Sequence, residues 1–277
     1  MALYELSPSP AWQAYVRTYR VVHFVFGPGV VPPVKPYPPR PEHCLSFYPR
    51  DTERITYAAS GQQASHLRAA VIGQPSEVTN RYVGRDFLVF QVVFRPGALY
   101  RITGIPSTEL TNAYIDAEAI FSGGIREVNE QLDAAADYAA MAAVVETFLS
   151  RQIRLINKDI HPLDRVMNTL LQSPAPPPID VLADAACLSL RQFERRCLER
   201  LGVTPKYFCK VMRFEQAYRM RNLHPDADWL TIALHCGYHD YQHLAKDYLS
   251  LTGKTPNGFH LDDMAAPERK FGVADTY

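Results

Sequence analysis

Most features that would declare a function at once are missing from this sequence of 277 residues. No apolar run approaches the ~20 residues of a membrane-spanning helix, so no membrane role is expected. The opening residues Met1-Ala2-Leu3-Tyr4-Glu5 carry neither the basic start nor the apolar run of a signal peptide. Its five cysteines, Cys44, Cys187, Cys197, Cys209 and Cys236, have no CxxC spacing and form no dense framework. That favours reduced thiols and a cytoplasmic setting. There is no internal repeat. Net charge is absent too: 29 Lys+Arg stand against 29 Asp+Glu. At face value that balance opposes nucleic-acid binding.

Catalytic and metal signatures are missing as well. There is no GxSxG elbow, no GxxxxGK phosphate loop and no GxGxxG after a strand, so no enzyme is expected. The His-x-His and following Glu of metal-binding cupins do not occur, and His23, His43, Cys44 and His66 fall on separate segments. His239 and His243 are four residues apart, as on a zinc-binding helix. Yet His239 precedes a helix cap, and turn and surface histidines are the better reading; no metal and no cofactor are expected. What remains is an ordinary globular composition, 47% hydrophobic and 21% charged, enough for one or two buried cores.

The texture changes near residue 160. Before it lie strand-like runs, Val21-Val22-His23-Phe24-Val25-Phe26, Cys44-Leu45-Ser46-Phe47-Tyr48 and Phe87-Leu88-Val89-Phe90-Gln91-Val92-Val93-Phe94, bounded by Pro and Gly. The proline cluster from Pro32 to Pro41 reads as a loop over the sheet. Helical spacing occupies 125–156, interrupted around 134–137. In its second piece Tyr138, Met141, Val145, Phe148, Leu149 and Gln152 form a stripe that packs on the sheet or on a second copy. Beyond Pro162, helices are predicted over 163–171, 180–186, 190–201, 205–222, 229–235 and 240–252. Ser189 and Asp240 are natural N-caps, and Gly202 and Gly253 suit C-terminal caps. The expected fold class is α+β: an N-terminal β-rich domain over 1–157, an all-α domain over 158–261, and a flexible tail over 262–277.

Two helix pairs in the second half repeat one pattern. Segments 180–186 with 190–201, and 229–235 with 240–252, each make a helix-turn-helix, and 205–222 is long enough to join them at about 27 Å. Two recognition helices so held could enter successive major grooves, ~34 Å apart. The residues Leu188-Ser189, Arg191-Gln192-Phe193-Glu194-Arg195-Arg196, Leu201-Gly202-Val203-Thr204-Pro205, Gly237-Tyr238 and Gly253-Lys254-Thr255-Pro256 carry a specific likeness. Residues 162–260 resemble the DNA-binding domain of the AraC/XylS family of bacterial transcriptional regulators. Residues from about 8 to 155 resemble more loosely the sensor half of such regulators, notably in Phe94-Arg95-Pro96-Gly97-Ala98.

That resemblance implies a sequence-specific transcription regulator, an activator in most of the family, bound to double-stranded DNA and working with RNA polymerase. It also implies a β-rich N-terminal domain, cupin-like in some members, that takes a small-molecule effector, forms a homodimer, or does both. Tyr37, Tyr48 and Arg95 are candidates to line a pocket, though a structural role is favoured for each. The alternatives are an N-terminal domain that is itself enzymatic, and helix-turn-helix units that no longer bind DNA.

Helical geometry then selects the DNA-facing residues. Phe193, Cys197 and Leu201 form the inner stripe of the first recognition helix, leaving Ser189, Arg191, Gln192, Glu194, Arg195 and Arg196 toward the groove. Leu244, Tyr248 and Leu251 do the same in the second, leaving Tyr241, Gln242, Ala245 and Lys246. Asp247 departs from the family pattern, and its carboxylate is expected to be repelled by phosphate. The zero net charge is a sum of unlike parts. Over 185–225 nine bases face three acids, a balance of +6; over 226–277 four bases face eight acids, a balance of −4. Arg195→Ala is therefore expected to weaken DNA binding more than Lys246→Ala, by about 1–3 kcal/mol against less than 1. Equal losses in a salt-controlled titration would refute the asymmetry.

Overall fold

The computed structural model describes residues 2–121, 123–153, 159–173, 175–266 and 269. Among the described residues ten strands come first, β1 (Ala2–Leu6), β2 (Val16–Val25), β3 (Lys35–Tyr37), β4 (Cys44–Phe47), β5 (Glu53–Tyr57), β6 (Gln63–Ser65), β7 (Ala69–Ile72), β8 (Thr79–Val83), β9 (Asp86–Phe94) and β10 (Tyr114–Asp116). They form two antiparallel sheets, ordered β1-β2-β9-β4-β7-β10 and β3-β8-β5-β6. The three apolar runs of the sequence are neighbours at the centre of the larger sheet, with Tyr19 opposite Val92 and Phe47 opposite Phe90.

Those runs are continuously apolar because both faces of the larger sheet are covered. On one face Val21, Leu45, Leu88, Phe90 and Val92 meet helices α1 (Ala98–Thr103), α2 (Ile125–Asp133) and α3 (Tyr138–Ile153). Met141, Val145, Phe148 and Leu149 of α3 are buried there, so the stripe packs within the chain. The other face, with Phe24, Phe87, Val89 and Val93, looks toward the smaller sheet. The proline cluster is not wholly a loop: Lys35–Tyr37 pairs with β8 as an edge strand, a place where Pro36 costs no ladder bond.

The C-terminal part is helical: α4 (Pro162–Leu170), α5 (Ile179–Ala185), α6 (Leu190–Leu201), α7 (Pro205–Leu223), α8 (Trp229–His235), α9 (Tyr241–Thr252) and α10 (Pro256–Asp263). The sequence reading had no counterpart for α10, whose N-cap is Thr255 with Pro256 at the first helical position. The boundary expected at 157/158 lies outside the described residues. The expected tail begins inside α10, where Asp263 is wholly buried; most of 267–277 is outside the described residues. Among the described residues no helix is long and apolar enough to cross a membrane.

Helix α7 serves two cores. Phe208, Cys209 and Met212 pack with α4, α5 and α6, while Val211, Phe214, Ala217 and Tyr218 pack with α8, α9 and α10. Val78 of the β domain inserts into the second of these. The β domain also meets the C-terminal end of α6. There Gly202, in the left-handed conformation at φ 78°, lies so close to Ser107 and Thr111 that a Cβ would collide with them. Gly202→Ala therefore carries both backbone strain and overpacking, and should cost about 2–4 kcal/mol in urea unfolding. A change below about 0.5 kcal/mol would contradict this packing.

Candidate nucleic-acid interface

Helix α6 starts where Ser189 and Gln192 form a capping box. Ser189 Oγ accepts from the Gln192 backbone N–H at 3.4 Å, and Gln192 Oε1 accepts from the Ser189 N–H at 3.0 Å. Phe193, Cys197 and Leu201 are buried on the inner face, as their spacing requires. Arg191, Gln192, Glu194 and Arg195 are exposed on the outer face, and Arg196 is half-buried and paired with Glu199 at 2.6 Å. Arg191 and Arg195 have no hydrogen bond or ion pair among the described residues, so their donors stand open toward solvent.

Helix α9 repeats the plan. Asp240 caps it by accepting from the His243 N–H at 2.7 Å. Leu244, Tyr248 and Leu251 are buried, Gln242 and Lys246 exposed, Tyr241 and Ala245 half-buried. Asp247 is not on the exposed face of α9. It is buried, and its carboxylate turns toward Arg213 at 3.5 Å and Lys210 at 3.9 Å of α7. The spacing already held this signal, because 247 lies three residues after Leu244 and four before Leu251. By the same geometry Arg200 lies inside α6 rather than on its basic surface. The positive balance over 185–225 is thus partly consumed within the fold, while Arg191 and Arg195 stay exposed on α6.

Arg200 meets Asp164 of α4 through a buried fork, Nε to Oδ1 at 2.7 Å and Nη2 to Oδ2 at 2.6 Å. Around this pair the β domain adds three hydrogen bonds. Tyr100 OH donates to Glu199 at 2.8 Å, Ser107 Oγ to the Arg200 carbonyl at 2.9 Å, and Thr111 Oγ1 to the Gly202 carbonyl at 2.9 Å. The β domain therefore grips the C-terminal end of α6, and the opposite end carries the candidate readers. Sequence spacing could not show this contact, because its partners are about 35 to 100 positions apart.

Of the N-terminal candidates, Tyr37 lines a cleft between the two sheets and Tyr48 is buried against Glu53 at 2.5 Å. Arg95 is elsewhere, donating to the Gln13 carbonyl at 2.6 Å. His239 and His243 stack ring on ring at 5.8 Å, and among the described residues no group of three His, Cys, Asp or Glu is placed to hold a metal ion.

His43 sits at the domain junction, in a small space also lined by Leu201 and Phe208. Burial pushes its imidazole down to about 4, against a smaller opposing pull from the Leu201 backbone and Glu42. The unfolded chain then takes up a proton near pH 6.5 that the folded chain refuses until about pH 4. Stability should fall as pH drops through that window, by on the order of 2–3 kcal/mol from this group, and remain whole above it. His43→Gln should flatten that part of the pH profile. Identical slopes for the two proteins in chemical denaturation would contradict the assignment.

Two family models match the chain. One, described as a helix-turn-helix domain, covers residues 182–260; the other, a domain of unknown function (DUF6597), covers 4–116. No curated protein matches the sequence. Among solved structures, ToxT from Vibrio cholerae O395 is similar at 9% identity, covering 90% of this chain and 98% of that one, with a TM-score of 0.47. The DNA-binding domain of AdpA, solved in complex with a target DNA, is similar at 24% identity over 38% of this chain and 96% of that one, with a TM-score of 0.36. Both scores fall below 0.5, so the assignment rests on the family model and on the paired helices themselves. Residues 182–260 thus form a helix-turn-helix domain, in keeping with the resemblance to the AraC/XylS regulators, and are joined to a distinct β-rich N-terminal domain.

Proposed function

We propose that this protein binds DNA sequence-specifically through both helix-turn-helix units, with α6 and α9 in two adjacent major-groove segments. The observation that carries this reading is the repeated design of those helices. Each is capped at its N-terminus, buries an apolar stripe in its own core, and exposes polar side chains toward its N-terminal end. Arg191 and Arg195 are the donors for guanine edges or phosphates, and Glu194 an acceptor for cytosine amino groups. Ser189 and Arg196 suit backbone phosphates. Gln192 and Gln242 suit adenine, and Tyr241, Ala245 and Lys246 complete the second surface. Phosphate contacts would set the register while base edges supply the specificity.

The regulatory part of the proposal is that the β domain modulates these helices, as an activator that engages RNA polymerase near a promoter. Its support is the direct grip of the β domain on α6 and the insertion of Val78 beside α7. An effector in the β domain, or a second copy of the chain, would act through those same contacts. A map of bound sites across the genome, paired with shift assays at two salt concentrations, tests the reading. The expected result is one recurring sequence bound about 10³-fold or more above bulk DNA, with affinity falling steeply as salt rises. Absence of any preferred sequence at low salt would overturn it.

A further inference from the structure

A groove of about 950 Å³, counting its open mouth, lies in the helical half. Three stretches line it: 171–173 just past α4, one face of α7 from Gln216 to Leu223 with His224 beyond it, and His235 with Cys236 at the end of α8. It therefore touches both helix-turn-helix units and the helix they share. Part of its wall is apolar, made by Leu171, Met220 and Leu223, and Leu223 is 59% exposed. A large apolar side chain left that open on a concave wall is a place for other apolar groups to cover.

The polar part of the wall is also incomplete. Gln216 donates its amide to the Ser173 carbonyl at 2.5 Å, but its buried Oε1 accepts from nothing among the described residues. A buried acceptor in that state costs free energy, and the backbone N–H of an extended chain is a fitting donor. Arg219 lines the groove together with His224 and His235, and no acid does so among the described residues. The groove thus suits an extended peptide with apolar side chains and an acidic one.

The chain itself returns to this place. After α10, Arg269 donates to Asn222 Oδ1 at 2.6 Å and is held by Asp263 as well. Asn222 and Leu223 are successive residues, about 100° apart around α7, so Arg269 stands at the side of the groove. The sequence continues Lys270-Phe271-Gly272-Val273-Ala274-Asp275-Thr276-Tyr277. Fully extended, that stretch reaches about 26 Å, ample to cross the groove. It also alternates in size: Phe271, Val273, Asp275 and Tyr277 fall on one face of an extended chain, and Gly272, Ala274 and Thr276 on the other.

We propose that residues 270–277 lie extended in this groove. Phe271, Val273 and Tyr277 cover Leu171, Met220 and Leu223, Asp275 faces the basic side of the wall, and a backbone N–H satisfies Gln216. Seated there, the segment ties the first helix-turn-helix unit to the second across α7. The contact does not depend on DNA.

Photo-cross-linking of the full chain, with benzoylphenylalanine in place of Phe271 or of Tyr277, tests the proposal when the products are mapped by peptide mass spectrometry. The expected products join those positions, within one chain, to 171–173, 216–224 or 235–236. Leu223→Arg, at an exposed position where folding is not at stake, should cut their yield several-fold. Removal of residues 271–277 should speed amide hydrogen exchange several-fold over 171–173 and 235–237 and leave the two sheets unchanged.

Cross-links absent, or confined to residues outside the groove, would overturn the proposal. So would products that join two chains, which would make a second copy the occupant. Unchanged yield in Leu223→Arg, or unchanged exchange after removal of the segment, would contradict it equally.

Discussion

The structure turns on the carboxylate of Asp164. Within α4 it closes the capping box of His161, accepting the His161 N–H at 3.3 Å. Across the helical domain it takes both arms of the Arg200 guanidinium, and across the junction it sits against Gly97 of the β domain, where any larger residue would collide with it. Asp164 and Arg200 are almost fully shielded from water, so each would be costly to bury alone. Pairing them fixes the rotation of α6 about its axis. The same placement that buries Arg200 leaves Arg191 and Arg195 exposed, about two and a half and about one and a half turns toward the N-terminus.

The exposed arginines and the contact with the β domain therefore lie at opposite ends of one helix. The N-terminal end of α6 is capped internally by Ser189 and leaves its arginines open. The C-terminal end is held by the hydroxyls of Tyr100, Ser107 and Thr111, which donate to the Glu199 carboxylate and to the carbonyls of Arg200 and Gly202. A shift of the β domain would thus be transmitted to the readers through a rigid rod. The second unit is tied differently, through Val78, the Lys35–Asp263 pair and the Tyr207 hydroxyl on the Ser76 carbonyl at 3.0 Å. With α7 common to both cores, the distance between α6 and α9 is set by packing rather than by a loose linker.

Much of this architecture was legible in the sequence, where local chemistry decides it. The caps at Ser189, Asp240, Gly202 and Gly253, the inner stripes of α6 and α9, and the three doubly covered strands all follow from spacing and residue type. What stayed hidden depends on partners far along the chain. Spacing sets Arg200 and Asp247 on the inner faces of α6 and α9, but not what neutralises them there, Asp164 for the one and Lys210 with Arg213 for the other. The strand at Lys35–Tyr37 forms despite Pro36 because an edge demands fewer donors. Likewise the zero net charge concealed a basic first unit and an acidic last segment, and the fold then withdraws part of each from the surface.

The proposed binding needs α6 and α9, kept at one separation by α7 and the β domain, to meet one stretch of duplex together. Hydroxyl-radical footprinting of the intact protein on a bound site tests it most directly. The expected pattern is two protected segments on one face of the DNA, about one helical turn apart, with the α6 segment protected more strongly. A single protected segment, or two whose spacing varies from site to site, would contradict it.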